Sequence, residues 1–363
     1  MLLYLHIPFC HRICPYCSFY KHTPADTSIK ALVDALLREM EQRLPGKPAP
    51  RTLYLGGGTP SMLSPKMLQR LFGGLHRLLD FSALEEVTLE ANPATFALPK
   101  ARLFLDLGIT RVSLGVQSLT SHVLTTLGRE HDPAQAKSAV RTLRRAGIPS
   151  INIDLMFSIP GQSLEDWQQT LNDAIALEPD HISAYNLTYE EDTAFFTALR
   201  NGTMHENPDH DAEFFYWAAQ TLTAAGFEHY ETSNYARPRH QSIHNQGYWQ
   251  GENYLGIGPS AVTTIDSLRS QNLADTKGYV DRISRIGNAM VDSELLDEKA
   301  IRIERIALGL RTKQGVAISW LDGDGLAKAK ILEQQGLLKI DRERVVLIDH
   351  GRALVDPIAA EII

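Results

Sequence analysis

The chain has 363 residues, 44% of them hydrophobic and 22% charged, with a formal net charge of -7. That composition suits a soluble protein with one large α/β unit and a small appendage, and the acidic balance argues against nucleic acid as the main partner. No run approaches the roughly 20 apolar residues of a membrane span, and the opening apolar stretch 1–9, broken by His6 and Pro8, is too short for a signal peptide.

The first strand is predicted over 2–6, and a loop holding all three cysteines follows it directly. An amphipathic helix comes next, with Ile29, Leu32, Val33, Leu36, Leu37 and Met40 at the spacing of one buried stripe. A proline-rich joint, PGKPAP, occupies 45–50. Further strands are predicted over 52–55, 86–90, 111–116, 151–156 and 181–187, and helices over 65–79, 98–107, 133–146 and 164–177. Ser64 before Pro65 is an N-cap with proline at the first helical position, Ser163 with Asp166 resembles a capping box, and Gly108 and Gly147 stand where helices stop. A helix near 211–224 and a strand near 228–233 follow. From about Asp297 the pattern turns to helices at 301–310 and 320–335, a hairpin of 337–340 and 345–348, and a closing helix.

Six strands, each followed by a helix, imply parallel pairing through right-handed crossovers. Six units are too few for a closed eight-stranded barrel, so the expected fold is α/β: a partial, six-unit parallel β/α barrel with a small C-terminal α+β domain of winged-helix type. Three regions are expected: the barrel with its extension over 1–235, a connecting region over 236–296 and the C-terminal domain over 297–363. In that domain Lys328, Lys330, Lys339, Arg342 and Arg344 are interspersed with acids, which favours a structural or lid role over nucleic-acid binding.

Cys10, Cys14 and Cys17 are spaced C-x3-C-x2-C within HIPFCHRICPYCSFY. Three thiolates can ligate three irons of a 4Fe–4S cube and leave the fourth open to another ligand. An odd, crowded set does not make a disulfide framework. A Cys3His zinc site with His6, His11 or His22 is the competing reading, although zinc motifs usually come as two separated pairs. Clustered free thiols call for a reducing compartment, hence a cytoplasmic location.

Active sites of β/α barrels collect at the carboxyl ends of the strands. The cysteines, the loop Gly56-Gly57-Gly58-Thr59-Pro60, Glu90, Gln117 and Asp154 all fall at or near predicted strand ends. Glycines let backbone approach a ligand closely, and no Lys-Ser/Thr pair follows to make a phosphate loop. Glu90 stands where an acidic residue accepts ribose hydroxyls in dinucleotide sites; its alternative is an exposed strand-end carboxylate. His244, before Tyr248 and Trp249, reads from its neighbours as a hydrogen-bonded histidine that organises the turn into those aromatics.

The segments YLHIPFCHRICPYCSFY, YLGGGTPSML, TLEANP, RVSLGVQS, LGREHD and NIDLMFSIPGQ occur in this order. Together they resemble the radical S-adenosylmethionine superfamily, in its oxygen-independent coproporphyrinogen III oxidase group. The resemblance implies a 4Fe–4S cluster on Cys10, Cys14 and Cys17 whose open iron is chelated by S-adenosylmethionine. It places Tyr4, Gly57 and Glu90 against that cofactor near the cluster. Tyr16, Gly58, Thr59, Gln117, Arg129 and Asp154 match a second set of cofactor-contacting positions.

Within the group the chain is most similar to the HemW heme chaperones. The oxidases carry a further cysteine where this chain has Phe19, and an N-terminal extension before the cluster. The chain also holds the chaperone signature HNxxYW as His244-Asn245-Gln246-Gly247-Tyr248-Trp249, followed by YLGIGPSA; Val262 stands where relatives usually have histidine. This branch implies heme as a bound group, with His244 a candidate axial ligand beside Tyr248 and Trp249, apo-hemoproteins as recipients, an electron donor, and contact with membrane-bound heme proteins. The alternative it leaves is a radical enzyme acting on a porphyrin. Phe19 argues against coproporphyrinogen dehydrogenase activity and leaves S-adenosylmethionine cleavage open.

Overall fold

Side chains alternate across each strand, so a strand with one apolar face buries that face under helices and turns the other inward. This pattern builds the computed structural model, which describes residues 1–363 except 26, 47 and 48 and the side chain of Asp349; two positions of the proline-rich joint thus lie outside the described residues. Strands β1 (Leu2–Ile7), β2 (Thr52–Gly57), β3 (Glu86–Ala91), β4 (Arg111–Gln117), β5 (Ser150–Phe157) and β6 (His181–Asn186) pair in parallel in that order. Between and beyond them run α1 (Ile29–Arg43), α2 (Pro65–Leu78), α3 (Leu98–Asp106), α4 (Ser121–Thr126), α5 (Pro133–Ala146), α6 (Leu164–Ile175), α7 (Ala194–Arg200) and α8 (Pro208–Ala224). Leu3 and Leu5 of β1, Leu53 and Leu55 of β2, and Val112 and Leu114 of β4 share one core with Leu32 and Leu36 of α1 and Leu71 and Leu75 of α2.

The helix ends follow their capping chemistry. Ser64 accepts from the Met67 amide at 3.3 Å, Ser163 and Asp166 bond each other's backbone amides, and Gly147 ends α5 at φ +88°. The strand predicted over 228–233 is split into β7 (Glu228–Glu231) and β8 (Asn234–Ala236), an antiparallel pair whose second member joins β6.

The span 236–296, expected as a connecting region, holds α9 (Ile243–Trp249), β9 (Tyr254–Ile257), β10 (Val262–Ile265), β11 (Leu268–Asn272), α10 (Thr276–Ile286) and β12 (Met290–Leu295). β9 pairs in parallel with β1, so the sheet continues past its first strand in the order β12-β11-β10-β9-β1-β2-β3-β4-β5-β6-β8-β7. Its outermost strands do not pair with each other among the described residues, and the barrel stays open. A buried carboxylate locks this extension to α1. Glu39 accepts from the Gly258 amide at 3.0 Å, Tyr279 Oη at 2.6 Å, Asn272 Nδ2 at 2.8 Å and Arg43 at 3.2 Å.

The C-terminal domain consists of α11 (Glu298–Leu310), β13 (Val316–Ala317), α12 (Gly323–Gln334), β14 (Leu338–Ile340), β15 (Arg344–Leu347) and α13 (Val355–Ile362), with strand order β13-β15-β14. The helix predicted over 320–335 starts late. Ile318–Trp320 is a separate 3-10 turn, and the Asp322 carboxylate caps α12 by accepting from the Gly325 amide at 2.9 Å. Ile306, Leu310, Val345, Leu347, Ile358 and Ile362 form a core of their own. Backbone bonds from Thr232 N to Arg311 O, 2.8 Å, and Lys313 N to Tyr230 O, 3.0 Å, seat this domain on β7.

Candidate functional site

The cysteine loop leaves β1 and is pinched at its neck, where Cys10 N donates to His22 O at 3.0 Å and His22 N to Pro8 O at 2.9 Å. The glycine loop after β2 lies directly against it. Gly58 N donates to Ile7 O and Thr59 N to Phe9 O, both at 2.8 Å. This approach is possible only without side chains. A Cβ on Gly58 would stand 2.7 Å from Phe9 O, and one on Gly57, held at φ +106°, would stand 2.4 Å from the His6 ring. His6 itself is neutral: burial brings its pKa down to about 4. Its Nε2 donates to Tyr20 O at 2.8 Å, which leaves Nδ1 to accept from Tyr4 Oη at 3.0 Å. Tyr20 and His22 in turn bond Thr276 at the start of α10, so the extension past β1 braces the cysteine loop.

Two donors face the thiols. Thr59 Oγ1 lies 3.5 Å from Cys10 Sγ, and Arg129 Nη1 lies 3.4 Å from Cys14 Sγ while its Nη2 donates to Gly115 O at 2.6 Å. Burial raises the thiol pKa of Cys10 and Cys17. Donors and a guanidinium around sulfur favour thiolate, the form that binds metal. Among the described residues no three His, Cys, Asp or Glu side chains close round a single ion position. Three thiolates with Thr59 and Arg129 beside them are a donor set that fits three irons of a 4Fe–4S cube.

The three cysteines open into a cavity of about 550 Å³ enclosed by the strand ends. Tyr16, Gly57, Gly58, Thr59, Glu90, Gln117, Arg129 and Asp154 all line it. Glu90 accepts from Tyr54 Oη at 2.8 Å and from the Gly57 amide at 3.1 Å; burial, with Asp154 nearby, pushes its pKa up to about 7. Asp154 accepts from Ser113 Oγ at 3.0 Å and Asn152 Nδ2 at 2.7 Å, and burial raises it too. Gln117 sits at φ +68°, where β4 slips register against β5. That left-handed backbone is uncommon for glutamine and marks a bulge beside the site.

Tyr4 and His244 are the two predicted site residues that do not line this cavity. Tyr4 lies behind it, its ring 6.1 Å from that of Tyr54. His244 is 1% exposed on α9, near the amino ends of β2 and β3. Its Nδ1 lies 2.7 Å from Thr52 Oγ1, its ring stacks 4.8 Å from Tyr54, and its Nε2 has no partner. Burial lowers its pKa to about 3, so it is neutral. Glu86 at the start of β3 holds α9 in place by accepting from the amides of Ile243, 3.0 Å, and His244, 3.2 Å, a carboxylate at a helix amino end. Trp249, at the other end of α9, lines a different cavity of about 530 Å³ shared with Glu231, Arg305 and Trp320.

Tyr54, Arg111, Ser113, Ser183, Tyr185 and Asn245 also line the cysteine cavity and were not anticipated. One signal for them was present. In β4 the residues at 111, 113, 115 and 117 face the cavity while Val112, Leu114 and Val116 are buried in the core, so the polar set has the period of a strand.

A family model for the radical SAM superfamily matches residues 4–174. The heme chaperone HemW of Lactococcus lactis is 34% identical over 357 residues, which is 96% of this chain and 93% of that one. HemW of Escherichia coli is 40% identical over 290 residues, 77% of this chain and 75% of the relative. Among solved structures, coproporphyrinogen III oxidase (HemN) from Escherichia coli, described as a radical SAM enzyme, matches with a TM-score of 0.85 at 26% identity, covering 99% of this chain and 89% of that chain.

Proposed function

The chain belongs to the HemW heme chaperone family of the radical S-adenosylmethionine superfamily, and we propose that it binds heme beside a 4Fe–4S cluster and S-adenosylmethionine and passes the heme to apo-hemoproteins. The observation that carries this reading is Phe19, 68% exposed on the cysteine loop at the cavity lining, an apolar ring where the oxidases have a further cysteine. Cys10, Cys14 and Cys17 would hold the cluster, which supplies one-electron redox chemistry and an open iron. Thr59 and Arg129 stabilise the charge on two of those sulfurs. Glu90, titrating about pH 7, can accept from a bound ligand's N–H or O–H groups while Gly57 and Tyr54 fix its orientation. The glycine loop supplies close backbone approach. An electron donor, contact with membrane-bound heme proteins and action in the reducing cytoplasm belong to the same proposal; no helix among the described residues is long and apolar enough to cross a membrane. We also propose the functional division at 235 and 296, with the middle region bracing the cysteine loop through Thr276.

The resemblance in fold to HemN favours one second reading, a radical enzyme acting on a porphyrin. Anaerobically reconstituted protein separates the two. A chaperone shows a Soret shift on heme titration and transfers heme to an apo-hemoprotein without consuming coproporphyrinogen III. Multiple turnovers on coproporphyrinogen III would overturn the chaperone reading.

A further inference from the structure

We propose that Arg111 binds a carboxylate of a ligand that reaches the inner end of the cysteine cavity. Arg111 is the first residue of β4, 3% exposed, and part of the cavity lining. Its guanidinium makes no hydrogen bond or ion pair with any described residue, and its Nε is wholly buried without a partner. An arginine stays charged in a protein, so burying one with no direct partner is costly and is seldom tolerated without a use.

The carboxylates around it are engaged elsewhere. Glu86 accepts from Thr88 Oγ1 at 3.1 Å and from the two amides of α9. Asp154 is bonded by Ser113 and Asn152, and Glu90 by Tyr54 and Gly57. All three lie within electrostatic reach of Arg111, yet none forms an ion pair with it. The neighbouring imidazoles of His181 and His244 are kept neutral by burial and by Arg111 itself. Arg111 is therefore a lone buried cation with its planar fork of donors unused, at a cavity wall. That fork matches a carboxylate in bidentate geometry, and water can satisfy the N–H groups without neutralising the charge.

Two ligands carry the required group: the aminoacyl end of an S-adenosylmethionine, and a porphyrin through its propionates. The inference needs the cavity to be a ligand site and does not depend on heme delivery. The test uses full-length, cluster-reconstituted wild type, Arg111→Gln and Arg111→Lys. Each is titrated with S-adenosylmethionine and its decarboxylated analogue, and with heme and heme dimethyl ester, while iron content and melting temperature are followed. For the ligand whose carboxylate Arg111 holds, Arg111→Gln should weaken binding about tenfold to a hundredfold. Its carboxylate-free counterpart should bind variant and wild type alike. Arg111→Lys, which keeps the charge and loses the fork, should fall between and serves if the Gln variant does not fold. A loss confined to S-adenosylmethionine assigns the aminoacyl group, and one confined to heme assigns a propionate. Equal losses within each ligand pair, or no loss in either, would overturn the proposal.

Discussion

Glu231→Gln isolates a buried charge that this structure can hold only at a cost. Glu231 lies on β7 at the 530 Å³ cavity, 4% exposed, and its Oε1 has no hydrogen-bond partner. Burial moves its pKa from the ordinary 4.5 up to about 7, with Asn234, the Ser233 amide and Arg311 limiting the rise. An acid whose pKa is higher folded than unfolded binds its proton more tightly in the folded state. It contributes full stability below pH 4.5 and loses that contribution as pH climbs through about 7. The interval between the two values, at about 1.4 kcal/mol per pH unit, is worth about 3 kcal/mol, most of it falling between pH 5 and 8. Glutamine keeps the shape and removes the titration. Urea unfolding of both proteins across pH 5 to 8 should show the wild type losing about 2–3 kcal/mol relative to the variant, with the variant the more stable at pH 8. Parallel pH profiles for the two proteins would refute the claim that Glu231 is buried and protonated near neutrality.

Replacing any one of Cys10, Cys14 or Cys17 by alanine should abolish retention of the roughly four irons and four sulfides expected per chain, read by iron and labile-sulfide assay after anaerobic reconstitution; stoichiometric zinc without sulfide would contradict the cluster. Glu90→Ala should weaken S-adenosylmethionine binding and leave iron content intact, measured by equilibrium titration; unchanged affinity would remove Glu90 from the cofactor site. Gly57→Ala forces a Cβ into the His6 ring at φ +106°, and should cost about 2–5 kcal/mol and loosen the cysteine loop; a wild-type melting temperature would count against that packing. Glu39→Ala strips four donors of their common acceptor and should destabilise by about 3–5 kcal/mol in denaturant unfolding, whereas a loss under about 1 kcal/mol would mean the extension is not held through this group.

Within the barrel, local chemistry was enough to read the six parallel strands and the longer helices from the residues, but not the short α4 and α7. Helix α5 has its predicted bounds because Asp132 caps its start and Gly147 its end. The strand-end rule brought the cysteines, the glycine loop, Glu90, Gln117 and Asp154 to one place, since parallel strands linked by helices all point their carboxyl ends the same way. Strands β9 to β12 escaped detection because they are short and partly polar. The residues of β12 are all exposed, so it has no buried face to advertise. Partners far apart in the chain decided the rest. Thr52, Tyr54 and Glu86 fix how His244 and α9 sit, and nothing in HNQGYW specifies those contacts. Arg111 looks like an ordinary strand residue in RVSLGVQS. Only the curving of the six parallel strands around one cavity leaves its charge buried and without a direct partner, because burial and pairing belong to the assembled fold and not to any one segment.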